Sequence, residues 1–206
     1  MHNWSFKQFL NSDNPAWVED YYSGLSSALK KYNVDSTILP TVNRFGSNDT
    51  KYIIVELDGL QLGGIRIEIK SLTNQLPIEK SNIKVSDAIN EKIKYLTHDG
   101  MFTIAEICGL WANSDAKKQF NGVSGLGKIL ARKALELSID SKVDLILSVL
   151  PQHTLPYFLD LNFNLDPNLQ NIFYPDDRYL SSIVWYDLRH ENLTSHTTQL
   201  TSSDHI

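Results

Sequence analysis

Residues 105–163 contain, in chain order, a strand-like segment, a glycine-rich turn, an amphipathic helix, a second apolar strand and a short helix. This order is typical of a phosphate-binding βαβ unit. It predicts two parallel strands joined by a right-handed crossover. The unit constrains the fold strongly, because both strands must lie in one sheet while the helix covers a face of it.

The glycine turn, Gly-Val-Ser-Gly-Leu-Gly at 122–127, stands where a helix is predicted to begin. Apolar side chains at 126, 129, 130, 134 and 137 recur at helical spacing, so one face of this helix packs inward. Free N–H groups and the positive end of the helix dipole make such a start an anion site, and glycines let a phosphate approach the main chain. An ordinary turn is the alternative interpretation of the same spacing.

Two apolar segments flank this helix. Phe102–Ala112 has the pattern of a central strand that contains one carboxylate, Glu106, and Val143–Leu150 is its predicted parallel partner. Pro151–Phe163 is predicted to form a short helix that ends in a turn. The glycine turn lies past the middle of the chain, which distinguishes the pattern from a Rossmann dinucleotide domain, where the turn follows the first strand.

These motifs resemble the GNAT superfamily of acyl-CoA-dependent N-acyltransferases. The resemblance covers roughly residues 51–188 and rests on the Ala105–Ile107 strand, the glycine turn with its helix, and the Leu-Asp-Leu-Asn-Phe segment that ends at Phe163. It implies an α/β (α+β) fold with a mixed, mostly antiparallel central sheet, a parallel βαβ core and helices on both faces. It also implies acetyl-CoA or another acyl-CoA as the co-substrate. The sequence shows no metal-ligand cluster, so no metal is expected.

The resemblance also assigns the coenzyme-binding residues. Backbone amides of the turn would hold the pyrophosphate, and the end of the preceding strand would line the pantetheine arm. The pyrophosphate residues are Val123, Ser124, Gly125, Leu126, Gly127 and Lys128, and the arm residues are Leu110, Trp111 and Ala112. Gly122 stands where the family usually has Gln or Arg, so a polar side chain of 117–121 is the candidate to take that place.

Glu106 is the candidate general base, because several enzymes of the family deprotonate an amine with a glutamate on this strand. An amine with a pKa of about 10 is almost wholly protonated at neutral pH, so some group must accept its proton before attack. Burial on a strand would raise the pKa of the carboxyl group toward the working pH. The alternative is that Glu106 faces solvent and pairs with a lysine.

Tyr157 is the candidate general acid for the leaving thiolate. The family often has a tyrosine five residues before the terminal phenylalanine, and counting back from Phe163 reaches Phe158, next to Tyr157. Successive helical residues point about 100° apart, so bulk water is the alternative proton donor.

A β-hairpin is predicted early in the chain. Asp58-Gly59 separates the apolar runs Tyr52–Leu57 and Leu60–Ile69, and this dipeptide favours a type I′ turn. The second run contains Arg66 in a Gly-x-Arg pattern similar to that of autoinducer synthases and N-acyl amino acid synthases within the wider fold. Arg66 is therefore a candidate ligand for a substrate carboxylate. The alternative is an ordinary strand arginine that faces solvent or pairs near Glu68.

Elsewhere, periodicity predicts helices over 14–32 and 86–96 and final strands at 172–174 and 183–188. The first helix carries a stripe of Trp17, Tyr21, Leu25, Leu29 and Tyr32 on one face. Such a stripe usually packs in a core, although the first helices of acyltransferases often wall the acceptor pocket.

Composition limits the class of protein. With 206 residues, 42% of them hydrophobic, the chain can bury one sizeable core, so we expect a single domain over 1–190 and a disordered tail at 191–206. A net charge of −5 and a pI near 5.6 argue against a nucleic-acid binder. No apolar run approaches 18 residues, the chain start lacks a signal-peptide pattern, and Cys108 is the sole cysteine, so a cytoplasmic protein without membrane contact is expected. Cys108 is expected to be a buried filler rather than a nucleophile.

The sequence therefore predicts an N-acyltransferase, with acetyl as the first candidate group, that acts on a primary amine of a small molecule or peptide by direct attack. Two alternatives stay open. One is an acyl-carrier-protein-dependent N-acyl amino acid or homoserine lactone-type synthase, and the other is a catalytically weak acyl-CoA-binding module, which Gly122 and Phe158 suggest. The resemblance further suggests a homodimer.

Overall fold

The computed structural model describes residues 4–38, 50–71, 74–81, 85–113 and 125–189. The predictions for Val123, Ser124, the polar segment at 117–121 and the tail at 191–206 lie outside these residues.

A sheet of eight strands forms the centre of the protein. The strands are β1 (Trp4–Leu10), β2 (Thr50–Leu57), β3 (Leu60–Ile69), β4 (Ile104–Ala112), β5 (Leu145–Pro151), β6 (Asn164–Leu165), β7 (Ile172–Phe173) and β8 (Leu180–Asp187). Their order is β1-β2-β3-β4-β5-β8-β6, with β7 also paired to β8. The β4–β5 pair is parallel, and the other pairs are antiparallel. The predicted mixed, mostly antiparallel sheet with a parallel βαβ core is confirmed.

Helices cover both faces of this sheet, as predicted. They are α1 (Pro15–Lys30), α2 (Asp35–Ile38), α3 (Ser86–Leu96), α4 (Leu126–Asp140) and α5 (Leu155–Leu159). Alternate residues of the strands pack against opposite helices, since Tyr52 and Ile54 of β2 join the α1 core while Ile53 and Val55 join the α4 core. The core residues of α5 also lie on the α4 side, and those of α3 pack against the opposite side of β4, β5 and β8. We refer below to the α1 face and the α4 face of the sheet.

The predicted hairpin is confirmed. Leu57 pairs with Leu60, and both turn residues have left-handed backbone, with φ of 51° at Asp58 and 81° at Gly59. Positive φ at both central residues is the signature of a type I′ turn, whose twist matches that of the two strands.

Two predictions for the amino-terminal third need correction. The first helix ends at Lys30 rather than at Tyr32, and Tyr32, which is 53% exposed, lies in the following turn instead of on the buried stripe. The chain also has an edge strand, β1, that the sequence pattern did not indicate. Phe9 is its sole fully buried residue, and the alternation of apolar and polar residues that begins at Trp4 breaks at Lys7-Gln8, so no sustained strand pattern is present.

In the part of the chain that the structure describes, no helix has both the length and the apolar composition that crossing a membrane requires.

Candidate active site

The parallel strands β4 and β5 separate halfway along their length. Their pairing covers Ile104–Glu106 on β4 and Leu145–Leu147 on β5, although both strands continue further. At the point of separation, the Ser148 hydroxyl donates a 2.6 Å hydrogen bond to the Ile107 carbonyl. Beyond this bond the two backbones do not pair, so the sheet has an opening at its centre.

A bulge in β4 accounts for this separation. Gly64 of β3 pairs with Trp111, and Arg66 pairs with Cys108, so β4 has one extra residue between these two pairs. Gly109 lies in the bulge with φ of 61°, and its carbonyl accepts a 2.6 Å hydrogen bond from the Tyr21 hydroxyl of α1. A side chain at position 109 would be strained by this φ, and its Cβ would come within 2.3 Å of the Tyr21 oxygen.

A cavity of about 430 Å³ passes through this opening from one face of the sheet to the other. On the α4 face its walls include Gly127 and Tyr157, and on the α1 face they include Leu25, Ala28 and Leu29. Among the residues between these ends are the predicted site residues Glu106, Arg66, Leu110, Trp111 and Ala112. The structure thus brings candidate residues from distant parts of the chain to one continuous cavity.

Glu106 is buried, with 3% of its surface exposed, and lies on the wall of this cavity. Burial raises the pKa of its carboxyl group to about 8, and the carboxylates of Glu68 and Glu79 act in the same direction. The Ile78 N–H, which donates to Oε2 at 2.9 Å, and the Arg66 guanidinium lower the pKa. The alternative in which Glu106 faces solvent and pairs with a lysine is therefore wrong.

Arg66 is buried, with 1% of its surface exposed, so the solvent-facing alternative is wrong for this residue as well. Its Nη1 lies 3.1 Å from Glu68 Oε1 and donates to the Tyr22 hydroxyl at 3.0 Å, and its Nε donates to Cys108 Sγ at 3.2 Å. Arg66 therefore pairs with Glu68 inside the protein, and it also lines the cavity. Cys108 was predicted to be a buried filler, but it is half-buried and lines the cavity. Desolvation raises the pKa of its thiol, which disfavours the thiolate that a nucleophile needs.

The candidate phosphate site lies at the start of α4. Gly125 precedes the helix with φ of 87°, and the N–H groups of the first turn have no acceptor within a helix. Gly127 lies against the Tyr157 ring, since a Cβ at position 127 would come within 2.6 Å of Tyr157 Cε2. The Lys128 ammonium pairs with Asp160 Oδ2 at 2.7 Å, so its main chain rather than its side chain is available to a phosphate.

Leu110, Trp111 and Ala112 follow the bulge and line the cavity. The Trp111 indole packs directly against Gly24 and Gly64. A Cβ atom added at position 24 would lie 2.3 Å from the indole ring, and one added at position 64 would lie 2.7 Å from it, so neither position has room for a side chain. Leu110 and Ala112 are half-buried.

The side chains of Tyr157 and Phe158 point in different directions, as those of successive helical residues do. Phe158 is buried in the core, with its ring edge-on to Phe163 at a centroid distance of 5.1 Å. Tyr157 is half-buried and lines the cavity on the α4 face. Phe158 also lines the cavity, so Tyr157 differs from it by carrying a hydroxyl group at the cavity wall.

Sequence reasoning missed several residues that shape this site. Ser148 and the Ile78 N–H had no distinguishing signal, because each acts through a contact with β4 far along the chain. Tyr21 was visible only as part of a helical stripe. The connection between β7 and β8 also contacts the end of α1, where Tyr179 donates to the Tyr32 carbonyl at 2.8 Å.

Within the described ranges, no group of three or more His, Cys, Asp or Glu side chains is arranged to hold a metal ion.

No family model matches the sequence. The chain is 24% identical over 182 residues to an uncharacterized protein of Mycobacterium tuberculosis; the match covers 85% of this chain and 66% of that relative. The chain thus spans slightly less than two thirds of the length of the curated relatives it matches.

Solved acyltransferase structures share the fold. FeeM, an N-acyl amino acid synthase from uncultured soil microbes, superimposes with a TM-score of 0.64 at 9% identity, covering 91% of this chain and 92% of FeeM. An acyl-CoA N-acyltransferase from Pseudomonas aeruginosa superimposes with a TM-score of 0.53 at 15% identity, covering 89% of this chain and 99% of that enzyme. The strand order, the parallel β4–β5 pair and these superpositions confirm the resemblance at the level of architecture: the chain has the fold of the GNAT acyltransferases.

Proposed function

We propose that this protein is an N-acyltransferase that moves an acyl group from acyl-CoA to a primary amine by direct attack. One observation carries the proposal: a single cavity connects the start of α4, an anion-binding feature, with a buried carboxylate, Glu106, on the opposite face of the sheet. A ligand with a phosphate at one end and a reactive group at the end of a slender arm fits this layout.

The donor is proposed to bind with its pyrophosphate on the amides of Gly125, Leu126, Gly127 and Lys128, with Val123 and Ser124 completing the turn. Its pantetheine arm would pass between β4 and β5 along Leu110, Trp111 and Ala112. The unpaired backbone of the separated strands supports this path, because an amide-containing arm can hydrogen-bond to it as a strand would.

Glu106 is proposed as the general base. A protonated amine that enters from the α1 face transfers a proton to the Glu106 carboxylate, and the neutral nitrogen attacks the thioester carbonyl carbon. The new C–N bond forms, the nitrogen passes its second proton to solvent water, and the C–S bond breaks. The CoA thiolate leaves with a proton from Tyr157 or from water. A carboxyl pKa of about 8 supports this role, because the group can then exchange protons in the working range of pH.

Arg66 is proposed to bind a carboxylate of the acceptor, which would make an amino acid or a peptide terminus a suitable substrate. Its position on the cavity wall, on the same face as Glu106, supports this role. An acceptor carboxylate must compete with the existing partner Glu68, so we expect this contact to tune affinity rather than to create it.

The test is release of free thiol from acetyl-CoA in the presence of a panel of primary amines that includes amino acids. We expect turnover with at least one amine, a loss of at least tenfold in Glu106→Gln, and no loss in the control Glu136→Gln, which changes an exposed glutamate of α4. Equal turnover in Glu106→Gln would remove Glu106 from the role of base. Saturable CoA binding without thiol release would favour a binding module, and turnover from an acyl carrier protein alone would favour the carrier-dependent synthase.

A further inference from the structure

The end of the cavity on the α1 face is a compartment with apolar walls. Three residues of α1 at helical spacing form one wall: Leu25, Ala28 and Leu29. Val34, Tyr174 and Pro175 line the same end of the cavity. We call this region, defined by these six residues, the α1 compartment.

Ala28 opens the α1 compartment. It lies between Leu25 and Leu29 on the cavity side of the helix, and its side chain is the smallest of the three. A larger residue at this position would project into the cavity, because side chains at i, i+3 and i+4 share one helix face. Position 28 is therefore the point on α1 at which the depth of the compartment is set.

Two hydrogen bonds tie the opposite side of the compartment to α1. Tyr179 donates to the Tyr32 carbonyl at 2.8 Å, and Arg178 Nη2 donates to the Asn33 carbonyl at 2.9 Å. Both acceptors lie in the turn that follows α1, and both donors lie in the connection that contains Pro175. These bonds place the connection that contains Pro175 beside the end of α1, so the two segments form neighbouring walls of the compartment.

The α1 compartment adjoins the reacting centre. Glu106 and Arg66 line the same cavity on the α1 face, and burial together with the nearby Glu106 carboxylate raises the pKa of the Tyr174 hydroxyl. Lys31 and Tyr32, which follow the last residue of α1, also line the cavity. A group bound in the compartment would thus extend directly from the atoms that react.

We propose that the α1 compartment binds a hydrocarbon chain, longer than acetyl, that one of the two substrates carries. This inference rests on the proposed acyl transfer and names its substrate class. The chain comes either from the acyl donor or from the amine acceptor, since both meet at Glu106. Apolar walls favour such a chain because each methylene removed from water against them contributes to binding.

The test measures dissociation constants by calorimetry for two series of probes. The first series is acetyl-, butyryl-, hexanoyl- and octanoyl-CoA, and the second is the linear amines from ethylamine to octylamine without CoA. We expect affinity in one series to rise about threefold to fourfold per methylene until the compartment is filled. The variants Ala28→Phe and Ala28→Leu should abolish this rise, whereas Ser27→Phe and Ser27→Leu, on the exposed side of the same helix, should keep it.

Ala28→Leu is included because the smaller side chain still fills the compartment if Ala28→Phe does not fold. Circular dichroism verifies the fold of each variant. A rise in the CoA series assigns the chain to the donor, and a rise in the amine series assigns it to the acceptor; either result supports the compartment. Affinities independent of length in both series, or a rise that Ala28→Leu leaves intact, would overturn the inference. If no CoA species binds but the amines show the rise, the proposed function fails while the compartment stands.

Discussion

Glu106 of β4 lies directly opposite Glu68 of β3 in the antiparallel register, and both carboxylates are buried on the α1 face of the sheet. Their surroundings differ. Glu68 pairs with Arg66 at 3.1 Å and accepts a 2.9 Å hydrogen bond from the Thr50 hydroxyl, whereas Glu106 accepts a hydrogen bond from the Ile78 N–H. Burial, reinforced by the neighbouring Glu68 charge, raises the pKa of Glu106 to about 8. Of the two, Glu106 is the carboxyl group that lines the cavity, so it is the one we propose as the base.

The pH dependence of turnover should follow Glu106. As pH rises, the base becomes ionised, so kcat/KM should increase up to an apparent pKa near 8 and then level off. Two acceptor amines with different pKa values separate this effect from ionisation of the acceptor. The assignment is supported if the rise of kcat/KM stays near pH 8 for both amines and disappears in Glu106→Gln. It is contradicted if the midpoint of the rise moves with the pKa of the amine and the rise persists in the variant.

The stability of the protein should also report on Glu106. Its pKa in the folded state, about 8, exceeds the ordinary value of 4.5, so the folded protein binds more protons than the unfolded chain between these pH values. The free energy of unfolding should therefore fall as pH rises through this window, by up to about 1.4 kcal/mol per pH unit from this group. Urea denaturation should show Glu106→Gln gaining stability relative to the natural protein from pH 5 to pH 8, and a difference that does not change with pH would refute the burial argument.

The buried Arg66–Glu68 pair should be strongly coupled. Glu68→Met leaves the guanidinium without its carboxylate partner, and Arg66→Met does the reverse, so each should reduce the free energy of unfolding by about 3–5 kcal/mol. The double variant should lose much less than the sum of the two. The exposed pair Lys133–Glu136 is the comparison, with an expected effect below about 1 kcal/mol for Glu136→Ala. Additive losses at 66 and 68 would mean that the two charges do not depend on each other.

Tyr21 should support the bulge in β4. Tyr21→Phe removes the donor to the part-buried Gly109 carbonyl, so we expect a loss of about 0.5–1.5 kcal/mol in stability. Because the bulge separates β4 from β5, the dissociation constant of CoA should rise as well. Tyr95→Phe, at a tyrosine with an exposed side chain, is the control and should change neither quantity. Normal CoA affinity in a destabilised Tyr21→Phe would show that the opening does not depend on this bond.

The order of apolar, polar and glycine residues along the chain was sufficient to predict the helices and turns that interactions between nearby residues determine. The apolar spacing after Gly127 predicted α4, Asp58-Gly59 predicted the hairpin turn, and the single carboxylate within an apolar strand identified Glu106 as unusual. The contacts that tune the site could not be predicted in this way. Tyr21 meets Gly109 across 88 positions and Ile78 meets Glu106 across 28, and neither pair has a periodicity that links its members. Strand β1 was missed because an edge strand buries little.

A thermal-shift titration with CoA, acetyl-CoA and NAD tests the central claim most directly. If the opening between β4 and β5 holds the coenzyme, CoA and acetyl-CoA should stabilise the protein, by about 2.7 kcal/mol at 100 times the dissociation constant, and NAD should not. Gly127→Ala should weaken this effect, because the new methyl group meets the Tyr157 ring at the phosphate end. Equal stabilisation by NAD, or no shift with any CoA species on the folded protein, would contradict the account.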